Sequence, residues 1–266
     1  MRSFVAAGFV AAVAAAGAVA GLRHYTNDSH AAGPEPTGGR LALVLPEPVK
    51  PAFTVPTPKP LSTPAAAAFW APVARAVVAR TAPRADGTAI ATLELQTPEG
   101  TSNLVAVVAD TVTKGSRWLR VRLPVLPNNT TGWVPRVALG GLVPVDTRLV
   151  VDRELLRAVL FRNGRRVFTA PVGVGTTQAP TPRGQFYIRD KLTGFGSSFY
   201  GPVAFGTSAR SAVLTDWPAG GYIGIHGTNE PQLIPGRVSH GCIRMRNQDI
   251  ARLARLMPIG TPLIVR

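Results

Sequence analysis

The chain has 266 residues, enough for one large or two small globular domains, and 45% of them are hydrophobic, ample for a buried core. Glycine and proline make up about a fifth of the chain and charged residues 16%, a balance that disfavours long surface helices and predicts a mainly β protein. The formal charge of +15 is almost all arginine, so the surface should attract polyanions, without choosing among nucleic acid, anionic lipid and acidic polymer.

After Met1, Arg2 and Ser3, residues 4–22 carry no charged or strongly polar side chain, as in the charged start and apolar stretch of an export signal. Ala18-Val19-Ala20 supplies small residues for cleavage before Gly21. The same run nearly reaches the ~20 residues that span a bilayer, so a retained anchor is the alternative. Residues 1–22 are therefore read as signal peptide or membrane anchor, with no cysteine nearby for lipid attachment. Export places the remainder outside the cytoplasm, in the cell envelope, and removes nucleic acid as a partner of the basic surface. Residues 23–70 contain Pro34, Pro36, Pro46, Pro48, Pro51, Pro56, Pro58, Pro60 and Pro64. They read as a semi-rigid, extended linker rising roughly 3 Å per residue.

Short β-rich runs follow at residues 73–80, 89–95, 104–110, 118–123 and 132–137, a spacing that predicts a small barrel or sandwich. Trp118-Leu119-Arg120-Val121-Arg122 and Gly132-Trp133-Val134, separated by Asn128-Asn129-Thr130-Thr131, resemble the closing strands of a bacterial SH3-like domain. The resemblance implies an SH3-like β-barrel over residues 71–142, a module that either binds wall peptides or packs on a catalytic partner.

The last segment, residues 145–266, opens with two apolar-rich runs flanking Asn163-Gly164. Both turn residues tolerate positive φ, so a type I′ hairpin is expected. Further strands are expected at 185–189, 221–226 and 262–266. One helix is legible: Asn247 as its cap, Asp249 in its first turn, Ile250, Leu253, Ala254 and Met257 at helical spacing, and Pro258 with Gly260 as its stop.

Cys242 is the single cysteine. Exported domains usually pair their cysteines, so a lone thiol is either an inert buried residue or a reactive one. Its surroundings are Ile225-His226-Gly227-Thr228-Asn229 and Ser239-His240-Gly241-Cys242-Ile243-Arg244-Met245. A thiol is only a few per cent ionised at neutral pH and needs a base or cation to attack a carbonyl. His226, at a strand end, can project beside Cys242; His240, two positions away, has less freedom to reach an in-line geometry. Gly241 lets backbone N–H groups around His240, Gly241 and Cys242 converge on an oxyanion. A zinc site would require a further ligand that the segment does not place.

His226-Gly227-Thr228 followed by Ser239-His240-Gly241-Cys242-Ile243-Arg244-Met245 closely resembles the signature of the L,D-transpeptidase (YkuD-type) catalytic domain. Upstream, Thr181-Pro182-Arg183-Gly184-Gln185-Phe186 and Val172-Gly173-Val174-Gly175 also match. The resemblance implies a β-sandwich-like catalytic domain with a late helix, peptidoglycan stem peptides as substrate, carbapenems as inhibitors, and no cofactor or metal. It further implies Cys242 as nucleophile and His226 as general base oriented by a carbonyl near Gly227. His240 and Gly241 would shape the oxyanion hole, and Ser239 and Gly227 would contact substrate; Arg244 would either hold a substrate carboxylate or tie to a nearby carbonyl, and Tyr222 would either contact substrate or pack in the core. Tyr200 and Trp217 are further candidates for specificity, with core packing as the alternative.

Overall fold

The computed structural model describes residues 59–60, 68–194, 198–214 and 221–266. The export segment 1–22, most of the linker, and Trp217 lie outside the described residues. Among the described residues no helix is long and apolar enough to cross a membrane.

The first part is one antiparallel sheet of β1 (Lys59–Pro60), β2 (Ala68–Pro72), β3 (Val77–Arg80), β4 (Ala89–Leu93), β5 (Leu104–Thr113), β6 (Ser116–Arg122), β7 (Thr131–Pro135) and β8 (Val143–Val145). Its order is β4-β3-β7-β6-β5-β2-β8, with β1 also on β5. Where the sequence predicts one strand over residues 73–80, only its second half, β3, is strand, and β2 ends at Pro72 just before it. The two are separated where Ala74 and Arg75 both donate to the Ala138 carbonyl, at 2.9 and 3.1 Å. Within residues 23–70, the expected linker, the described residues are β1 and the start of β2. Pro60 and Pro72 end their strands and Pro144 lies in the terminal strand β8, positions where a missing N–H breaks little of the ladder. Leu93, Val105, Val107, Leu119, Val121 and Val134 fill this sheet's core.

The second part is a ten-stranded sheet, β11-β10-β9-β18-β13-β14-β15-β17-β12-β16. It comprises β9 (Thr147–Asp152), β10 (Arg157–Arg162), β11 (Arg165–Pro171), β12 (Gly173–Gly175), β13 (Gly184–Thr193), β14 (Val203–Arg210), β15 (Tyr222–His226), β16 (Gly236–Ser239), β17 (Ile243–Arg244) and β18 (Pro262–Val265). The expected hairpin is present, with φ of 49° at Asn163 and 76° at Gly164. The long strand β13 joins two halves: residues 184–187 pair with β18, whereas its later residues pair with β14. Between the halves, Leu149, Leu160, Phe168, Phe186, Phe205, Ile225 and Ile243 form a continuous core. The helix α1 (Asn247–Leu256) adds Ile250 and Leu253 to it, each such side chain contributing about 1.5–3 kcal/mol by burial.

The helix corrects one expectation. Its N-cap is Arg246 and Asn247 is the first helical residue. The Asn247 carboxamide is engaged elsewhere, accepting the Thr228 N–H at 2.9 Å.

The two sheets share a small apolar seam of Leu104, Ala106 and Tyr187, with Trp70 and Ile259 packed on it. Tyr187 donates its hydroxyl to the Leu104 carbonyl at 3.2 Å, and Asn128 brackets Arg210 with bonds to both its backbone N–H and carbonyl.

Candidate active site

Strand β15 is the floor of the site. Side chains alternate along a strand, so Tyr222, Gly224 and His226 face one way while Ile223 and Ile225 enter the core. These three residues line a cleft of about 310 Å³ together with Cys242, His240, Ser239, Arg244, Phe199 and Tyr200.

The parallel pairing of β15 with β17, in which Ile225 faces Ile243 and His226 faces Arg244, brings Cys242 over Gly224. The Gly224 N–H donates to Cys242 Sγ at 3.4 Å. A Cβ at Gly224 would lie 3.9 Å from Cys242 Sγ and 3.8 Å from His226 Cδ2. Thiol and imidazole thus flank a single backbone position.

His226 is 2% exposed, and its Nδ1 sits 2.6 Å from the Gly227 carbonyl oxygen. A carbonyl only accepts, so Nδ1 carries the proton and Nε2 keeps its lone pair. Tyr200 packs edge-on against the ring, with centroids 5.0 Å apart. Burial holds the imidazole's pKa down to about 4, the Gly227 bond opposes this, and the nearby Arg244 guanidinium lowers it further. Burial likewise pushes the Cys242 thiol up, against smaller lowering by the Gly224 N–H and Arg244. The resting pair is therefore a neutral thiol beside a neutral imidazole. Burial thus disfavours a standing thiolate, so a base beside this thiol would have to take its proton as the sulfur reacts.

The loop before Cys242 is fixed by its own side chains. Ser239 Oγ donates to the Cys242 carbonyl at 2.6 Å and accepts the Gly241 N–H at 3.1 Å. Thr181 Oγ1 donates to the Gly241 carbonyl at 2.7 Å and accepts the Gly175 N–H at 2.9 Å. Gly241 itself has φ of +116°, a region L side chains rarely adopt. Its N–H is thus already taken by Ser239, and Ser239 braces the loop while also lining the cleft.

Gly227 does not line the cleft. It lies behind His226, donating its N–H to the Tyr200 carbonyl at 2.9 Å, and a Cβ there would fall 2.3 Å from Asn247 Oδ1. Arg244 is buried in the cleft wall, 3.3 Å from Glu230 and 4.6 Å over the Phe199 ring. Tyr222 lies between two guanidinium groups, with Arg189 at 3.9 Å and Arg210 at 4.7 Å from its ring centroid. Its hydroxyl donates to the Pro124 carbonyl at 3.3 Å. His240 is an exposed residue at the cleft rim.

Sequence reasoning missed the bracing residues. Thr181 belongs to the Thr181-Pro182-Arg183-Gly184 run, and nothing local in the sequence signals that its hydroxyl reaches the Gly241 carbonyl. Asn247 has the chemistry of a helix cap, and Glu99, which also lines the cleft, lies in the connection between β4 and β5 of the other sheet.

Residues 146–265 match the family model of the YkuD L,D-transpeptidase catalytic domain. A Bacillus licheniformis protein named as the L,D-transpeptidase YkuD is 34% identical over 128 residues, 48% of this chain and 69% of that one. The Bacillus subtilis protein of the same name is 37% identical over 103 residues, covering 39% of this chain and 56% of its own length. A crystal structure of an Enterococcus faecium L,D-transpeptidase mutant aligns with 23% identity and a TM-score of 0.36, over 46% of this chain and 50% of that one. The match to the first relative extends across more than two thirds of its length at over 30% identity, and the chain belongs to the YkuD family of L,D-transpeptidase catalytic domains.

Proposed function

We propose that residues 145–266 crosslink peptidoglycan through a thioester on Cys242, outside the cytoplasmic membrane, and that residues 71–142 serve as an SH3-like module beside them. Residues 1–22 direct export or anchor the chain, and the linker sets its reach into the wall. The observation that carries the reading is the Nδ1–H bond from His226 to Gly227, which leaves Nε2 basic in the same cleft as Cys242 Sγ.

In this mechanism Sγ attacks the carbonyl of the third residue of a tetrapeptide stem while His226 Nε2 takes the thiol proton. The Cys242 N–H supports the oxyanion, because the Gly241 N–H is held by Ser239. His226 returns the proton to the departing D-alanine amine as the C–N bond breaks, leaving the thioester. Arg244, buried at the His226 end of the cleft, provides the positive charge for the donor's carboxylate. An amine of a neighbouring stem then attacks the thioester, so the energy of the broken peptide bond is kept and no nucleotide is consumed.

Incubating the protein with muropeptides bearing tetrapeptide stems and resolving the products by mass spectrometry tests this. The expected products are free D-alanine and dimers linked between third residues. Shortened stems without dimers would make the enzyme an L,D-carboxypeptidase, and unchanged stems would reject the reading.

A further inference from the structure

The cleft is not built from the catalytic sheet alone. Residues 94–103, joining β4 to β5 in the other sheet, fold into a small hairpin. Its Thr97 N–H bonds the Thr101 carbonyl at 2.8 Å, and the Asn103 N–H bonds the Leu95 carbonyl at 2.8 Å. Asn103 Nδ2 further ties it to the Glu94 carbonyl at 2.8 Å. At its tip Glu99 lines the cleft that contains Cys242 and His226, and among the described lining residues it is the one carboxylate.

Glu99 is held from the catalytic side. Arg189 Nη2 lies 2.5 Å from Glu99 Oε2, with the Arg189 side chain 1% exposed and that of Glu99 16% exposed. The register of β13 against β14 shifts between Ile188 and Asp190. Arg189 is thus the extra residue of a bulge, a device that re-aims a side chain, and here its guanidinium turns onto the Tyr222 ring and towards Glu99. The pairing is single-pronged: Arg189 Nε and Nη1 hydrogen-bond to nothing among the described residues. Glu99 Oε1 therefore keeps its acceptor capacity for another donor.

The polarity of the cleft follows strand β15. Tyr222, Gly224 and His226 run along one face over roughly 13 Å at ~3.3 Å per residue. Tyr222 stands with Arg189 and Glu99 at one end, Gly224 lies beneath Cys242 Sγ, and His226 is paired in register with Arg244 at the other. Among the described lining residues the one carboxylate, Glu99, and the one guanidinium, Arg244, thus lie on opposite sides of Cys242, Glu99 paired with Arg189 and Arg244 with Glu230. A donor stem ends in a carboxylate and suits Arg244; an acceptor stem presents an amine and suits a carboxylate.

We propose that Glu99 is a specificity-determining residue for the acyl acceptor, holding the N–H groups of the incoming amine so that the first sheet forms the acceptor wall of the cleft. The inference rests on the transpeptidase reading above. In the step it serves, the amine nitrogen bonds to the thioester carbon, the C–S bond breaks, one amine proton passes to His226, and the sulfur leaves as thiolate. His226 then returns that proton to the sulfur, restoring the neutral pair.

The test separates the two half-reactions in the full chain. Acyl-enzyme is formed with a tetrapeptide-stem donor, then chased with a tripeptide stem carrying a free side-chain amine, and the aminolysis and hydrolysis products are counted by mass spectrometry. In Glu99→Gln, acylation should stay within about twofold of wild type. The acceptor concentration for half-maximal capture should rise about tenfold, as expected for one charge-assisted hydrogen bond, and the partition should shift towards water by the same factor. Glu99→Asp should recover part of the capture. A purely structural role for Glu99 would instead lower acylation and Tm together without moving the partition. That result, or an unchanged partition in Glu99→Gln, would overturn the proposal. A wild-type chain that forms no acyl-enzyme with the donor would overturn the transpeptidase reading and this inference with it.

Discussion

His226→Ala should slow acylation by at least a hundredfold at neutral pH, while His240→Gln should stay within about threefold, the span that general-base catalysis commands being roughly 10²–10⁴. His226 is buried, its Nδ1 is committed to the Gly227 carbonyl, and its Nε2 is the basic nitrogen in the thiol's cleft. Because burial favours the neutral thiol, no standing thiolate substitutes for the lost base. The pH profile carries the sign. His226 is active when unprotonated, so wild-type acylation should hold from neutrality downwards and fail only as the pH drops through about 4. In His226→Ala the rate should instead climb as the pH rises and the thiol ionises, with partial recovery at alkaline pH. Time-resolved intact-mass measurements across pH read both profiles. A larger loss in His240→Gln, with an unaltered profile in His226→Ala, would make His240 the base.

Gly241→Ala should be nearly as damaging, and through the backbone. With φ of +116° at this residue, an L side chain is strained by about 1–3 kcal/mol. Its Cβ would also stand 2.9 Å from Cδ1 of Ile223, itself 2% exposed. The loop cannot relax without releasing the Gly241 N–H from Ser239 or its carbonyl from Thr181, and either leaves a buried polar group unpaired at about 1–3 kcal/mol. Since Cys242 is the next residue, the strain falls on the proposed nucleophile. We expect a total destabilisation of roughly 2–4 kcal/mol and an acylation rate reduced at least about fiftyfold. Denaturant unfolding and intact-mass kinetics check the two effects. A variant with wild-type stability and rate would show that the loop does not need glycine here.

The parts of the fold that sequence reveals are those with local causes. Asn163-Gly164 announces its hairpin because both residues accept positive φ. Ile250, Leu253 and Met257 announce the helix by period, and the run into His226 reads as a strand that ends at the site. What stayed hidden depends on partners distant in the chain. Asn247 has the chemistry of a cap, yet its carboxamide answers Thr228, nineteen residues earlier. Arg189 lies in a predicted strand, and nothing local signals the bulge that turns it towards Glu99, ninety residues before it. Gly227 belongs to the motif read as substrate-contacting, but its position behind His226 follows from the close approach of Asn247 and Gly201. In the first sheet, prolines argue against strands on local grounds. The chain accommodates Pro60, Pro72 and Pro144 at strand ends and in the terminal strand, which only the pairing order discloses.

Cys242 is proposed as the group that becomes acylated. Intact-mass measurement of the full chain before and after incubation with a carbapenem, in the wild type and in Cys242→Ala, tests it most directly. A single covalent adduct should form on the wild type as the thiol opens the strained lactam, and none on Cys242→Ala. An adduct that persists in Cys242→Ala, or a wild-type chain that stays unmodified, would contradict it.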